Sequence, residues 1–488
     1  MDLSNANLSA LPASIKRPAY DRTTLTPGIV HIGLGNFHRA HQSWYLHRLM
    51  QMGRDHDWAI IGAGVREFDG KQRDLLLKQD CLTTLIELTP EGQTAEITGS
   101  MIDYLPVEPG NGPLIEKLAD PAIRIVSLTV TESGYFQDQV TKAFNRADPE
   151  IIHDAQNPNK PKTAFGAIVA ALAKRRASGT GPMTAMSCDN LQGNGAILRQ
   201  TVVGLAKLSD PDLAAWIEAQ CSFPNSMVDC IVPATKEREH ALVKEFGIND
   251  AVPVTHERFR QWVIEDDFCA GRPAWEEMGA TFSDAVHAYE RMKICMLNAG
   301  HQILANAGEV MGLETIADTM AEPLIGGLFR RVLADEIAPQ VEPVPGKTPL
   351  EYLELISERF ANPAIIDTVR RVAFDGSGRH TGFLLPTINE RLAEGLTVTG
   401  LALVEALWAR MCTGIRDDGS TIEANDPKWN ALIAAGRAAK TQPRLWLEQR
   451  GMYGDLGDDP RFAQPFANWL AMLHKAGTAA TLTHYLEQ

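Results

Sequence analysis

Three side chains able to do acid–base and hydrogen-bond chemistry lie close together in the stretch Tyr289-Glu290-Arg291-Met292-Lys293-Ile294-Cys295-Met296-Leu297-Asn298-Ala299-Gly300-His301: an amine, an amide and an imidazole. The apolar periodicity predicts a helix. At roughly 100° per residue, Leu297, Glu290, His301 and Asn298 fall about 40°, 60°, 80° and 140° from Lys293, so these groups share one side. A lysine that serves as a general base must shed its proton near working pH, and partial burial does this by disfavouring the ammonium. Met292, Ile294, Met296 and Leu297 would supply that environment. An amphipathic helix whose lysine snorkels to water and whose histidine is a satisfied core residue has the same pattern.

Such a helix needs a scaffold, and the chain is long enough for two domains at 488 residues. Hydrophobic residues at 44% and charged residues at 22% are those of a globular protein. A net charge of −15 opposes a nucleic-acid or anionic-membrane partner, which would need a positive footprint. The seven cysteines are scattered with no C-x-x-C pair, as expected of reduced thiols. With neither a signal-peptide pattern nor an apolar run of about 18 residues, a cytoplasmic protein is expected.

Pro27-Gly28-Ile29-Val30-His31-Ile32-Gly33-Leu34-Gly35-Asn36-Phe37-His38 reads as strand, glycine turn and helix start. This is the order in which a dinucleotide fold brings backbone close to a pyrophosphate, although His38 stands where a third glycine is usual. Trp58 to Val65 reads as a second strand. Glu67 and Asp69 follow it, acids of the kind that accept from the adenosine ribose diol and favour NAD over NADP, while Arg66 argues the other way. The long interval from Gly35 implies a longer helix or an insertion. Residues 123–130 form a β-branched run leading to Glu132, and 182–188 a short strand leading to Asn190, so both polar groups are expected at strand C-terminal edges, where α/β sheets bind ligands. Asp229 follows turn residues in Phe223-Pro224-Asn225-Ser226-Met227-Val228.

Near residue 283 the pattern changes to long 3.6-period segments, which places the domain boundary between 1–283 and 284–488. Helices are expected at about 286–308, 313–319, 323–338, 349–358, 363–372, 387–393, 400–413, 428–440, 442–449 and 460–486, the last breaking near Gly477. The cluster Arg370-Arg371-Val372-Ala373-Phe374-Asp375-Gly376-Ser377-Gly378-Arg379-His380 reads either as a solvated charged turn or as donors for substrate hydroxyls or a carboxylate.

In order along the chain, five pieces resemble the polyol-specific long-chain dehydrogenase/reductase family. They are Gly33-Leu34-Gly35-Asn36-Phe37-His38-Arg39-Ala40-His41, Thr129-Val130-Thr131-Glu132-Ser133-Gly134-Tyr135, Cys188-Asp189-Asn190-Leu191 with Gly193-Asn194-Gly195, Phe223 to Asp229, and Lys293, Asn298 and His301. The resemblance implies an α/β Rossmann-type N-terminal domain followed by a mainly α-helical C-terminal domain, with metal-independent, NAD-dependent, reversible oxidation of D-mannitol at C2 to D-fructose. D-arabinitol and D-sorbitol would be secondary substrates. It implies Lys293 as base, Asn190 and Asn298 as the amides holding the reacting oxygen, and His301 as a substrate-positioning group. Polyol contacts would come from Asp229, Arg371 and Arg379, proton exchange with solvent from Glu132 and Glu290, and cofactor contacts from Gly33, Gly35, Asn36, Phe37, Glu67 and Asp69. The partner would be a small polyol or ketose, with no nucleic acid or membrane, and the chain would be a monomer or small homo-oligomer. A hexuronate reductase of the same family and a non-catalytic NAD(H) sensor are the competing readings.

Overall fold

A computed structural model describes residues 1–138 and 143–488, apart from the side chains of Glu132 and Ser133. Backbone packing divides the chain into two compact units, Met1–His287 and Ala288–Gln488.

Among the described residues the first unit has the strands β1 (Pro27–Ile32), β2 (Ala59–Ala63), β3 (Thr83–Thr89), β4 (Gly92–Thr98), β5 (Met101–Tyr104), β6 (Ile125–Leu128), β7 (Thr184–Ser187), β8 (Ser226–Asp229), β9 (Val254–Glu257), β10 (Gln261–Ile264) and β11 (Thr281–Phe282). Five of them form a parallel sheet in the order β5-β2-β1-β6-β7. Both faces are covered, which is why these strands read as continuous apolar runs. The period-2 alternation still sorts the side chains: Val30 and Ile32 of β1 join one core cluster with the helix Ala164–Ser178, and Ile29 joins another with Gln42–Gln51.

The long interval after Gly35 is filled by two helices, Asn36–Ala40 and Gln42–Gln51, kinked at His41. The β3–β4 hairpin, extended in parallel by β9, was not legible in the sequence. Residues 1–26 include two short 3-10 turns, Asn5–Ala10 and Arg22–Thr24, while Leu3, Leu11, Ile15 and Leu25, which flank them, are buried.

The second unit is helical, around the buried helix Ala299–Met311. That helix packs on Ile316–Ala321, Pro323–Val332, Val369–Val372 and Thr399–Met411. The helix expected at 363–372 shrinks to Val369–Val372, opened by Thr368 accepting from the Arg371 N–H. The expected charged turn is partly a helix, Gly376–Phe383, entered from Asp375 at φ 55°. The final helix does break at Gly477. Among the described residues no helix is long and apolar enough to cross a membrane.

Burial holds the imidazoles of His31 and His256 down to about 3 and that of His38 well below its ordinary value. Folding therefore retains the neutral rings, while the unfolded chain takes up protons below about pH 6.5. The stability they contribute is complete above that pH and is lost as pH falls from about 6.5 toward 3, by about 1.4 kcal/mol per pH unit for each ring. The urea midpoint is expected to be lower at pH 5.5 than at pH 7.5; equal midpoints would contradict it.

Candidate active site

In the main sheet β1 lies between β2 and β6, so the order of strands reverses there and a crevice opens beyond their C-terminal ends. Gly33 makes the turn out of β1 at φ +94°, and a Cβ on it would lie 2.1 Å from the carbonyl oxygen of Thr129, just past β6. Only glycine fits there. Gly35, by contrast, has nothing within 4 Å of where a Cβ would be and precedes the helix Asn36–Ala40. That open backbone is the cradle a pyrophosphate needs, so the residues present fit a dinucleotide.

The residues after Gly35 brace the turn. The Asn36 amide donates to Pro233 O (3.0 Å) and Thr235 Oγ1 (2.9 Å) and accepts from Arg39 (2.7 Å). Phe37 stacks on His41, 4.9 Å between centroids, and His38 lies flat on His31 at 3.4 Å. His31 bonds Ser127 (2.7 Å) and Thr129 (2.9 Å), so the second imidazole of the pair is held over β6. His38 thus fills the place of the third glycine with an uncharged packed ring.

Beyond β2, Asp69 Oδ2 accepts from the N–H groups of Val65 and Arg66, each at 2.9 Å. Its carboxylate is fixed at the strand end, and among the described residues no donor meets Oδ1. Glu67 is exposed. Arg66, the cation that argued for a 2′-phosphate, is gripped by both oxygens of Glu150 at 2.6 and 2.8 Å. The pair holds the guanidinium above and the carboxyl below their ordinary ranges.

At the ends of β6 and β7, Asp189 joins the two strands. Its carboxylate accepts from Val130 N (3.0 Å), Thr131 N (2.9 Å) and the Tyr135 hydroxyl (2.6 Å). Asn190 follows it directly and is exposed. Asn194 donates to Asp189 O (3.0 Å) and Ser226 O (2.8 Å) and accepts from Ser226 N (2.9 Å), tying this loop to β8. Asn225 Oδ1 takes the N–H groups of Gly195 and Ala196, and a Cβ on Gly195 would lie 2.4 Å from Phe223 O. Two of the quoted motifs are therefore one interlocked structure, and Asp229 ends β8 on it, 5% exposed. Asp189, Asn194 and Asn225 were given no role from sequence; the density of amide and acid side chains beside glycines was the available signal. Glu132 opens the 3-10 turn Glu132–Tyr135, and its side chain lies outside the described residues.

The helix carrying Lys293 is not uniformly α. Val286–Met292 is α, Lys293–Asn298 is a π turn in which the Ala299 N–H reaches back to Ile294 O, and Ala299–Met311 is α again. The α-periodicity separated Lys293 from Asn298 by about 140°. In a π turn the ring closes at i→i+5, so these residues lie about one turn apart on one side. Lys293 is 9% exposed and Glu290 4%. His301 stacks on Phe360 at 4.2 Å; its Nε2 is buried with no partner among the described residues, and burial pushes the imidazole down to about 4.

The charges of Asp367, Arg371, Arg359 and Arg379 act on the His301 imidazole, the acid raising and the arginines lowering its proton affinity. Arg371 already gives Nε and Nη2 to Asp367, both at 2.6 Å, leaving Nη1. Arg379 donates Nη1 to Val372 O.

The sequence matches the mannitol dehydrogenase Rossmann domain over residues 27–277 and the mannitol dehydrogenase C-terminal domain over 285–474. The chain belongs to the mannitol dehydrogenase family. This is a family of NAD-dependent oxidoreductases. Mannitol 2-dehydrogenase of Cereibacter sphaeroides is 51% identical over 473 residues, 97% of this chain and 99% of that protein. That of Aspergillus terreus is 38% identical, covering 100% of this chain and 99% of its own. Among solved structures, the Pseudomonas fluorescens mannitol 2-dehydrogenase ternary complex with NAD and D-mannitol superposes with TM-score 0.88 at 40% identity, over 100% of both chains. D-sorbitol dehydrogenase in substrate-free form gives 0.91 at 34% identity, over 99% of this chain and 100% of its own.

Proposed function

We propose that the chain is an NAD-dependent mannitol 2-dehydrogenase, oxidising D-mannitol at C2 to D-fructose and reversing the reaction. The observation that carries this reading is the full-length likeness, at 40% identity, to a mannitol 2-dehydrogenase described as a complex with NAD and D-mannitol. In this reading residues 1–283 bind the dinucleotide and 284–488 supply the base.

Lys293 Nζ takes the proton of the reacting hydroxyl. As it does so the oxygen gains alkoxide character, which the amide N–H groups of Asn190 and Asn298 stabilise. The π turn supports the pairing of Lys293 with Asn298, because it gives both side chains one direction. Bound NAD supplies the hydride acceptor. His301, kept uncharged by burial, positions the substrate by hydrogen bonding. Asp229, Arg371 through Nη1, and Arg379 hold the remaining hydroxyls, while Glu132 and Glu290 exchange the proton with solvent. Gly33 and Gly35, with the backbone of Asn36 and Phe37, receive the pyrophosphate.

Asp69 Oδ1 accepts from the ribose diol, in preference to exposed Glu67. Asp69→Asn keeps an oxygen for the Val65 and Arg66 N–H groups and removes the charge that repels a 2′-phosphate. The kcat/KM ratio for NAD over NADP is expected to drop at least about tenfold; an unchanged ratio moves the role to Glu67.

A steady-state panel of polyols, ketoses and hexuronates with both cofactors tests the whole reading. Turnover of mannitol and fructose is expected. A preference of about 100-fold for fructuronate, about 2.7 kcal/mol of transition-state binding, would make the chain a hexuronate reductase. NADH binding with no substrate-dependent absorbance change would make it a sensor.

A further inference from the structure

The C-terminal unit holds a cavity of about 560 Å³ lined by none of the residues assigned a role above. Its walls are the end of the helix Thr399–Met411 with the loop after it, the helix Trp429–Ala439 with Lys440, and the junction at Gly477 between Pro460–Ala476 and Thr478–Leu486. Arg410, Arg437, Lys440 and His474 line it, and Asp417 is the only acid that does.

That acid is fully engaged: Oδ1 accepts from Arg410 Nη2 at 2.8 Å and Oδ2 from the Thr478 N–H at 2.9 Å. Arg437 gives Nε to Thr413 O (3.2 Å), and among the described residues its two outer nitrogens and the Lys440 ammonium meet no protein acceptor. Behind this wall three more polar atoms of the lining residues, Arg410 Nε, His474 Nε2 and Thr478 Oγ1, are buried out of reach of solvent with no partner among the described residues. Arg410 is 9% exposed and Thr478 0%. Thr478 opens a nine-residue helix whose next residue, Ala479, also lines the cavity, so the positive end of that helix adds to the side chains. Burial and the nearby charges of Arg410 and Lys440 hold His474 down to about 4, so it contributes a neutral ring.

Two full positive charges, those of Arg437 and Lys440, thus stay uncompensated among the described residues at a cavity wall that also holds Arg410 and a helix N-terminus, in a chain whose net charge is −15. A doubly charged, many-acceptor anion satisfies such a set; a neutral sugar leaves the charges unmet. We propose that this cavity binds a phosphate group, carried by inorganic phosphate or by a small phosphorylated sugar or polyol. The volume accommodates the ester as well as the free ion. Its occupant would also be felt by the central helix, since the Asp417 N–H donates to Val310 O (2.9 Å) and Arg416 Nη2 to Glu309 (2.6 Å), both in the last turn of the helix that carries His301.

Isothermal titration calorimetry of the full chain in buffers of matched ionic strength tests this with three probes: inorganic phosphate, fructose 6-phosphate and sodium chloride. Saturable binding of at least one phosphate probe is expected, and none for chloride. In the doubly substituted chain Arg437→Ser/Lys440→Ser, which alters two exposed side chains, Kd should rise at least tenfold while kcat for mannitol in phosphate-free buffer is unchanged. A Kd tenfold lower for fructose 6-phosphate than for phosphate assigns the ester, and equal values assign the phosphate group alone. No saturable heat, or the same Kd in the substituted chain, overturns the proposal. The substituted chain also separates this cavity from binding of the ester as a ketose analogue at the catalytic residues, which it leaves intact.

Discussion

Lys293→Ala is expected to lower kcat for mannitol by roughly 10²–10⁴-fold while NAD binds with its parental affinity, because the loss is confined to proton transfer in the transition state. The side chain is 9% exposed, so truncation also removes packed methylenes, and a fall in rate alone would not separate chemistry from collapse. Two further measurements do so. Lys293→Met keeps the volume and should be as inactive as the alanine variant. Methylamine added to Lys293→Ala should restore part of the rate, since a small amine can occupy the vacated space and take the proton. Near-parental turnover in either variant would remove Lys293 from the role of base.

The second large effect is expected at the amides. Asn190→Ala and Asn298→Ala should each reduce kcat by about 10²–10³-fold, about 2.7–4 kcal/mol, with little change in KM, because the bond they donate strengthens only as the oxygen acquires charge. Asn190 is exposed, and substitutions at exposed positions usually change stability little, so its variant is expected to unfold near the parental temperature. Asn298 closes the π turn, and its variant needs a stability measurement beside the kinetics. A rise in KM at constant kcat would mean that these amides hold ground-state substrate and do not stabilise the transition state.

The two-part architecture was legible because its signals are local. Buried parallel strands leave apolar runs, and the Ile125–Leu128 and Thr184–Ser187 strands fell inside the stretches expected for them. The helices of the second unit left a 3.6-period. Lys293, Asn298 and His301 were legible as a group for the same reason, but their angular relation was not: a π turn inserts one residue into a turn without changing composition, so periodicity at 100° misplaced Asn298. Asp189, Asn194 and Asn225 stood in the quoted motifs but received no role, for a different reason. Each acts by pairing with backbone many residues away, as Asn194 does with Ser226, and no window along the sequence contains both partners. The helix Gly376–Phe383 was hidden by its two glycines near the start, Gly376 and Gly378, which propensity assigns to a turn.

The Arg66–Glu150 clasp carries a consequence for how discrimination between the two nicotinamide cofactors responds to conditions. Its side chains are 44% and 34% exposed, so mobile ions weaken it. A guanidinium released from Glu150 stands three positions before Asp69, where it would welcome the extra phosphate that Asp69 rejects in the role proposed for it. Rising ionic strength also screens that rejection, and both changes act in the same direction. Preference for the unphosphorylated cofactor is thus a property of the medium as well as of the fold, and Glu150 is a one-residue route by which a descendant chain could become tolerant of either coenzyme.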